Sequence, residues 1–533
     1  MAQLLDIFAF LSVLLRGMTL AFEALTVGGV IFVMAVTGMT SSNELARRLS
    51  RPLVLFSAFL AATQVLVVGT TSAILMNSAD LTWAEVRGAN YCIAGATVIT
   101  GAALVGGFAG ARRAKFAWPG GCILILFGTV MTSHSMGRLE YRGALAFLTL
   151  VHHAAGAAWI GGLPYLLSAL RKTSSREIAQ SITSRFSRMA MIAVPVLFGA
   201  GTGMALLYVG NPGALTGTTY GIMLSSKMMM TTLLVLLGAL NLKIVRAVRA
   251  GGSNDLLPLR RFGEVEVGIG FTVLLAAASL TSVPPAVDVT WGRVTIPEIV
   301  DRMKPEWPRM QTPSLKDLSP ATPLAGSLVG PATSSFVPGQ SAQPNTPADR
   351  AWSEYNHHWA GLVVLAAGIL SLLTRRIALA RHWPLVFLGL AVFLFLRADA
   401  ENWPLGPRGF WESFQVAEVA QHRLFVVLII ALGIFEWAVR TRRIAAQPGG
   451  LVFPLVCAVG GALLLTHSHS LGNVKEEFLA ELSHTPLAIL AVAAGWSRWL
   501  EIRLTQDRKR ILMWVWPVCF VLIGALLLNY RES

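Results

Sequence analysis

The succession of long apolar segments limits what this chain can fold into more than any other feature. A helix needs roughly 20 apolar residues to cross the ~30 Å hydrocarbon core of a bilayer. By that measure the 533-residue sequence contains fourteen candidate spans. They cover approximately residues 8–37, 53–76, 91–110, 117–134, 143–168, 189–209, 222–244, 264–283, 358–374, 384–398, 422–439, 451–469, 484–500 and 511–529. The sequence therefore predicts an all-α fold, a polytopic integral membrane helix bundle of about 14 transmembrane helices in two modules.

Composition agrees with a membrane protein and argues against a nucleic-acid partner. Hydrophobic residues make up 54% of the chain and charged residues only 13%, with a mean hydropathy of +0.61, whereas soluble domains carry roughly 25% charged residues. The formal net charge of +15 comes from Lys and Arg in short clusters between the apolar segments. Such clusters are typical of topology signals, not of a phosphate-binding surface. We therefore expect the lipid bilayer as a partner and no nucleic acid.

The distribution of basic residues predicts the orientation. Alternate loops between the predicted spans carry 27 of the 43 Lys and Arg residues. Because basic loops face the cytoplasm, this pattern places both termini on the external side. The N-terminal segment lacks a basic region and a small-residue cleavage site, so we interpret it as the first span rather than as a signal peptide.

The sequence gives no sign of several other kinds of chemistry. The cysteines lie within apolar segments and form no CxxC pair, which argues against a disulfide framework and a thiolate metal site. They are Cys92, Cys122, Cys457 and Cys519. The chain contains no P-loop, no GxGxxG between strand and helix, no GxSxG and no HExxH. We therefore predict a protein that is not an enzyme.

A stretch rich in Pro, Ser, Thr and Ala, about residues 284–356, interrupts the apolar segments. Such a composition buries too little apolar surface to form a core, so we interpret it as an extended external linker. It separates an eight-span N-terminal module, residues 1–283, from a six-span C-terminal module, residues 357–533.

Histidines recur in two similar contexts about 335 residues apart. The sequence Ser133–Gly137 (SHSMG) ends one apolar segment, and His152 and His153 lie inside the next. Ser468–Gly472 (SHSLG) repeats the first pattern, and His484 in the following segment corresponds to His152. A polar ring in hydrocarbon leaves unpaired donors and acceptors, so it is expected to face a bundle interior or to serve a function. The two modules are therefore predicted to build the same kind of site.

On the predicted topology, nine of the ten histidines lie in the outer half of the membrane and only His382 on the cytoplasmic side. Neutral imidazole suits copper, zinc and haem iron, and thioether sulfur favours Cu(I). The candidate ligands are His134, His152, His153, His357, His358, His422, His467, His469 and His484, with Met131 as a soft ligand on the helix face of His134. Residues two apart on a helix diverge, so His467 and His469 need not both bind. Hydrogen-bonded histidines without metal are the alternative interpretation.

Charged residues within the predicted spans also need partners. Arg16 and Glu23, seven residues apart, share one face of the first span and are expected to pair with each other or with groups on other helices. A relay role for Glu23 on an ion path is the alternative. Glu264 and Glu266, next to Arg260 and Arg261, are interpreted as solvated charges at a helix end.

Several short motifs occur in order within about the first 290 residues. They are Val151–Leu163 (VHHAAGAAWIGGL, of the form H-x6-W-[IV]-G-G-L), Arg185–Arg188 (RFSR), the segment from Tyr220 to Asn241 with its Lys227, and Phe262–Glu266 (FGEVE) leading to Thr281–Pro285 (TSVPP). In these motifs the chain resembles the copper resistance protein D (CopD/PcoD) family of bacterial inner-membrane proteins. The resemblance implies that His134 and His152 take the family's histidine positions, with His153 an addition. It also implies copper as the ion moved across the inner membrane, with a small periplasmic copper-binding protein as partner.

The chain departs from the simplest family pattern. It adds the six-span module, and its 284–356 segment lacks histidine, so it carries no periplasmic copper-binding domain of its own. Our leading hypothesis is a copper-handling protein of the bacterial inner membrane that takes copper at its periplasmic face. The alternative is a b-type haem cytochrome in which histidines ligate haem axially. A membrane scaffold with hydrogen-bonded histidines and no cofactor is the third possibility.

Overall fold

The computed structural model describes residues 2–37, 43–109, 114–173, 175–250, 255–318, 346–400, 402–415, 417–466, 474–505 and 510–532. Within these ranges the protein is helical, and one isolated β-bridge joins Asn402 and Arg408. Twelve helices are long and apolar enough to cross a membrane. Two shorter apolar helices, Phe116–Met131 and Leu512–Leu528, bring the described total to fourteen. Each predicted span coincides with one of them, which confirms the all-α, polytopic membrane fold.

The chain divides into two compact units. The N-terminal unit comprises Phe8–Leu215 and Met223–Asp288, and the C-terminal unit comprises Met1–Ile7, Thr216–Ile222 and Val289–Ser533. The helices up to residue 280 are α1 (Ala2–Ile31), α2 (Asn43–Ser78), α3 (Trp83–Val86), α4 (Asn90–Gly107), α5 (Ala114–Met131), α6 (His134–Gly137), α7 (Arg142–Gly156), α8 (Leu163–Lys172), α9 (Arg176–Val209), α10 (Pro212–Gly217), α11 (Thr219–Arg249) and α12 (Leu257–Leu280). Two π-helical segments, Phe32–Thr37 and Ala157–Gly161, extend α1 and join α7 to α8.

The C-terminal unit contains a core of aromatic rings packed against one another. Its helices are α13 (Ile296–Met303), α14 (Pro347–Leu373), α15 (Val386–Arg397), α16 (Ala417–Arg440), α17 (Ala446–Gly449), α18 (Val452–Leu464), α19 (Val474–Arg503) and α20 (Leu512–Leu528). The Trp383 ring lies 5.5 Å from Phe453, 5.8 Å from Trp516 and 6.3 Å from Phe520, measured between centroids. These distances are typical of favourable aromatic pairs, so the rings join the 3₁₀-helical segment Ala378–Leu385, α18 and α20 around one core.

The segment Ala157–Gly161, which we call the π segment, is held in unusually close contact with α1. A Cβ built on Gly161 would overlap the carbonyl oxygen of Ala24, and one built on Gly28 would overlap the carbonyl oxygen of Ala157. Both obstructing atoms are backbone, so no side-chain rotation relieves them. Glycine at these two positions therefore allows the helix backbones to touch, as small residues do in membrane helix pairs.

Part of the predicted linker is folded. Residues 284–318 and 346–356 are described, and they include α13 and the first turns of α14, whereas 319–345 lie outside the described residues. Helix α13 begins at a capping box in which the Thr295 N–H donates to Glu298 at 2.8 Å. Glu298 also forms an ion pair with Lys475 of α19. This exposed pair and its hydrogen bonds lower the pKa of Glu298 to about 2 and tie α13 to α19.

Glu298→Gln is expected to loosen α13. Because its folded pKa lies below the ordinary value of 4.5, the Glu298 carboxylate stabilises docking above pH ~4.5, and this contribution disappears as the pH falls to about 2. Hydrogen exchange of the α13 amides should be faster in the variant at neutral pH, and the difference from wild type should vanish towards pH 2. Asp301→Asn is the matched control, because the described ion pair of the Asp301 side chain is within α13 and its C-cap, with Lys304 at 2.8 Å, and does not involve α19. A difference that persists unchanged at pH 2 would contradict the assignment.

Candidate metal site

The first helix carries a row of polar residues through the N-terminal unit. Arg16, Thr19 and Glu23, spaced three and four residues apart, share one helix face. Arg16 donates to Thr132 Oγ1 at 2.7 Å, and Gln64 Nε2 of α2 donates to Thr19 Oγ1 at 2.8 Å. Each of these groups is therefore satisfied by another helix, and Arg16 does not bond directly to Glu23.

A cavity of about 380 Å³ opens at the end of the N-terminal unit that the basic-residue pattern predicts to be external. Its lining includes Arg16, Gln64, Tyr91 and His134. Thr19 belongs to the same lining, so the Thr19–Gln64 hydrogen bond forms part of the cavity wall. We call this space the outer cavity. In the outer cavity, polar residues of α1 line a space that is large enough for solvent.

His134 is held as metal-binding histidines commonly are. It begins the short helix α6 after the N-cap residue Ser133. The ring bonds to the Leu280 backbone, while Nε2 is buried and has no hydrogen-bond partner among the described residues. The bonded ring nitrogen is therefore Nδ1, and a backbone carbonyl at that nitrogen fixes the ring and directs the Nε2 lone pair. Burial lowers the pKa of His134, which keeps the imidazole neutral as a ligand requires.

Glu23 and His153 form a buried pair one turn beyond Thr19. His153 Nδ1 donates to Glu23 Oε1 at 2.9 Å, and the Glu23 side chain is only 3% exposed. Its second oxygen, Oε2, is buried and has no partner in the described part of the chain. The pairing of Glu23 is thus across helices, to α7. A carboxylate with an open lone pair beside an imidazole is a plausible combination of donors for a transition metal.

His152 points elsewhere. Its Nδ1 donates to the Leu197 carbonyl of α9 at 3.1 Å. Gly201 leaves room for the ring, since a Cβ there would lie 3.2 Å from His152 Cε1. Lys227 acts on the His152 ring electrostatically, as Arg16 does on the His134 ring. The outer cavity is lined by His134 but not by His152, so the role of His152 as a metal ligand stays a prediction.

Met131 ends α5 and is half-buried. It precedes Thr132, Ser133 and His134, all three of which line the outer cavity, but it is not itself part of that lining. A role as a soft ligand beside His134 therefore stays a prediction.

Two candidate histidines of the C-terminal unit lie against one tyrosine. The His357 ring stacks on Tyr530 with centroids 3.8 Å apart, and the His484 ring lies 5.9 Å from the same tyrosine ring. His357 Nδ1 donates to Ser353 O, and His484 Nδ1 to Ala480 O, each at 2.8 Å. The structure thus places one histidine of α14 and one of α19 against the same ring, and metal binding by these two histidines stays a prediction.

Two other candidates are bonded within the protein. His358 accepts from the Arg309 N–H at 2.7 Å and donates from Nε2 to the Tyr530 carbonyl at 2.8 Å, so both its ring nitrogens are occupied. His422 Nδ1 donates to Asp399 at 2.8 Å. Neither ring nitrogen of His358 has a lone pair free for a metal, so His358 is not one of the proposed ligands.

His467 and His469 lie outside the described residues. In the ranges that are described, no group of three or more His, Cys, Asp or Glu residues is arranged to hold a metal. The structure therefore pairs Glu23 with His153 directly, and it places His357 and His484 against the same tyrosine ring. The single histidine His134 faces the outer cavity.

Sequence reasoning missed some polar groups and misassigned others. Gln64 is not among the residues predicted for the site, but it lines the outer cavity. A polar glutamine inside the second apolar span is the sequence signal that indicates it. Glu264 and Glu266 were expected to be solvated, but they are 8% and 2% exposed. The expectation was wrong because α12 begins at Leu257, ahead of the predicted span at 264, and this extra length takes both carboxylates into the bundle.

Comparison with known proteins bears on these residues. Residues 180–280 match the family described as copper resistance protein D, or CopD. Residues 180–280 are thus similar to the CopD family. The match covers α11 and α12 and most of α9, a narrower range than the 290 residues that carry the resemblance, and it confirms the family expected from the motifs. It does not include His134 or the Val151–Leu163 motif.

The chain is also similar to a protein described as copper transport protein CutJ of Bacillus subtilis (strain 168). The two sequences are 25% identical over 179 residues, which is 32% of each chain. The chain thus spans about a third of the length of the curated relative that it matches. No solved structure matches the chain.

Proposed function

We propose that this protein transports copper ions across the bacterial inner membrane and is not an enzyme. Copper would reach the outer cavity of the N-terminal unit from the periplasm, delivered by a periplasmic copper-binding protein, and both termini would lie on that side. The CopD match over residues 180–280 and the similarity to a protein described as a copper transporter support copper as the substrate. The basic-residue pattern supports the orientation.

The unpaired Nε2 of His134 is the observation that carries the proposal. This nitrogen belongs to a residue that lines the outer cavity, and a buried polar atom without a partner costs free energy unless a ligand satisfies it. Arg16 places a fixed positive charge in the same lining, so charge attraction does not draw the ion in and imidazole coordination must do so. One nitrogen ligand binds copper weakly enough for release, as transport requires.

The Glu23–His153 pair is the next group along α1. It lies four residues, about one helical turn, beyond Thr19 of the cavity wall. Copper that leaves His134 would meet the open oxygen of Glu23 and the imidazole of His153 there. A negatively charged oxygen and a borderline nitrogen together repay the loss of water around the ion. This sequence of groups supports passage along α1.

His134→Ala is expected to lower copper uptake into proteoliposomes at least tenfold, a loss of about 1.4 kcal/mol of binding or transition-state free energy. The reason is the loss of the one nitrogen that the outer cavity offers. Uptake is measured with copper salts alone and bound copper by elemental analysis of the purified protein. His382→Gln is the matched control, because His382 belongs to the C-terminal unit and accepts from Trp437 at 2.8 Å. Unchanged uptake in His134→Ala would refute the assignment.

The haem alternative is tested on the same purified protein. A visible spectrum without a Soret band, together with bound copper, is the expected result. A Soret band at one haem per chain would instead favour a b-type cytochrome with axial histidines. Neither copper nor haem would favour a scaffold.

A further inference from the structure

Glu266 and Asn241 form a second buried polar pair in the N-terminal unit. Asn241 Nδ2 of α11 donates to Glu266 Oε1 of α12 at 2.5 Å. Glu266 is 2% exposed and Asn241 9% exposed. Both residues lie in the segment that matches the CopD family and towards the end of the unit that the basic loops predict to be cytoplasmic.

No positive charge neutralises Glu266. Among the described residues, no Lys, Arg or His lies within ion-pair distance of it. The basic groups of the neighbouring helices have other partners or are exposed. Arg171 of α8 and Arg261 of α12 bind Glu264. Arg260 donates to the Leu170 carbonyl and Lys172 to the Arg48 carbonyl, and Lys243 and Arg246 of α11 are exposed. On α1 and α7, Glu23 and His153 bind each other, and the Tyr165 ring of α8 lies against Gly29. Asn241 is the hydrogen-bond partner of Glu266.

The geometry of the pair fits a protonated carboxyl group. Asn241 Oδ1 is buried and lacks a donor in the described structure. A proton on Glu266 would supply that donor, because the amide and the carboxylic acid can then exchange two hydrogen bonds. An ionised carboxylate would instead be isolated in the membrane interior, where an unpaired charge is costly. The pair is therefore complete only when Glu266 holds a proton.

The π segment connects this pair with the proposed copper path. Gly270, four residues after Glu266 and on the same face of α12, leaves room for Ile160 of the π segment. The same segment touches α1 at Ala24 and Gly28, beside Glu23. A rearrangement of the π segment would thus change the packing next to both Glu23 and Glu266. Such π-helical turns are frequent at functional sites.

We propose that Glu266 is the proton-carrying group that couples copper transport to a proton gradient. This inference rests on the proposed function and extends it to the energy source. A proton from water on one side binds the Glu266 carboxylate, is held as an O–H paired with Asn241, and is released to water on the other side. The step transfers a proton only, with no change in oxidation state.

The test uses the full-length protein in liposomes, with copper salt as the probe and a pH-sensitive dye inside. Wild type is expected to take up copper at least fivefold faster with an imposed pH gradient than without one, and to move protons as it does so. Glu266→Gln keeps an amide hydrogen bond to Asn241 but has no carboxyl group that can bind and release a proton. Its uptake should show no gradient dependence, while copper bound at the outer cavity is unchanged. Glu177→Gln, exposed in the first turn of α9, is the matched control.

The outcomes separate this inference from the proposed function. Copper uptake by Glu266→Gln that depends on the pH gradient as fully as in wild type would overturn the inference. The Glu266–Asn241 pair would then only hold α12 to α11. Gradient-independent uptake by wild type would overturn the inference too, while copper transport would stand. Wild type that takes up no copper would refute both. If the Gln variant does not accumulate, Glu266→Asp replaces it: the shortened side chain draws the carboxyl away from Asn241 and should shift the gradient needed for half-maximal uptake, and no shift would overturn the proposal.

Discussion

Replacing His153 with leucine is expected to destabilise the N-terminal unit by about 3–5 kcal/mol and to abolish copper uptake. The substitution leaves Glu23, 3% exposed and bonded to His153 at 2.9 Å, without its partner inside the membrane. Breaking a buried pair by removing one member is costly because the other keeps its desolvation penalty. The measurements are thermal unfolding in detergent and copper uptake by proteoliposomes.

The double variant Glu23→Leu, His153→Leu separates stability from function. Replacing both members of a buried pair by apolar residues is often neutral or stabilising. The double variant should therefore recover most of the lost stability and still take up no copper. Recovery of uptake together with stability would show that the pair only holds α1 to α7. That result would remove it from the proposed path.

Gly161→Ala is expected to have the second large effect, a loss of several kcal/mol or failure to fold. The added methyl would overlap the Ala24 carbonyl oxygen, and overpacking against a backbone cannot be relieved by a rotamer change. Separation of α1 from the π segment would also displace Glu23 from His153. Protein yield and the midpoint of thermal unfolding measure the effect.

Gly199→Ala is the control for this substitution. Gly199 lies in α9 and a Cβ there meets no atom within 4 Å. Because alanine is the better helix former, the change should be neutral or stabilise by up to ~1 kcal/mol. Equal behaviour of the two alanine variants would contradict the tight contact between α1 and the π segment.

The spans and the family were predictable from the sequence because their signals are local. Apolar length measured against membrane thickness located all fourteen apolar helices. The short motifs between residues 151 and 285 indicated the family that residues 180–280 match. The folded state of α13 was harder to predict, because it depends on Glu298 meeting Lys475 about 177 residues further along the chain.

The candidate site was only partly predictable. The sequence indicated that His134 and His153 are unusual, but it could not indicate that His134 lines a cavity while His152 bonds the Leu197 carbonyl. Neighbouring residues on one helix point about 100° apart, and which of them meets a partner depends on the other helices. The burial of Glu266 beside Asn241 is of the same kind.

By itself the sequence determined that this chain is a helical membrane protein, which segments cross the bilayer and which polar groups must find partners there, because hydrocarbon imposes these requirements on each segment separately. Tertiary structure alone decided the partners: Glu23 with His153 rather than Arg16, Glu266 with Asn241 rather than water, and His134 with an open cavity. Which partner each group meets depends on close contacts between helices, such as that of Gly161 with Ala24. Such contacts are set by the packing of several helices at once, which no single segment encodes.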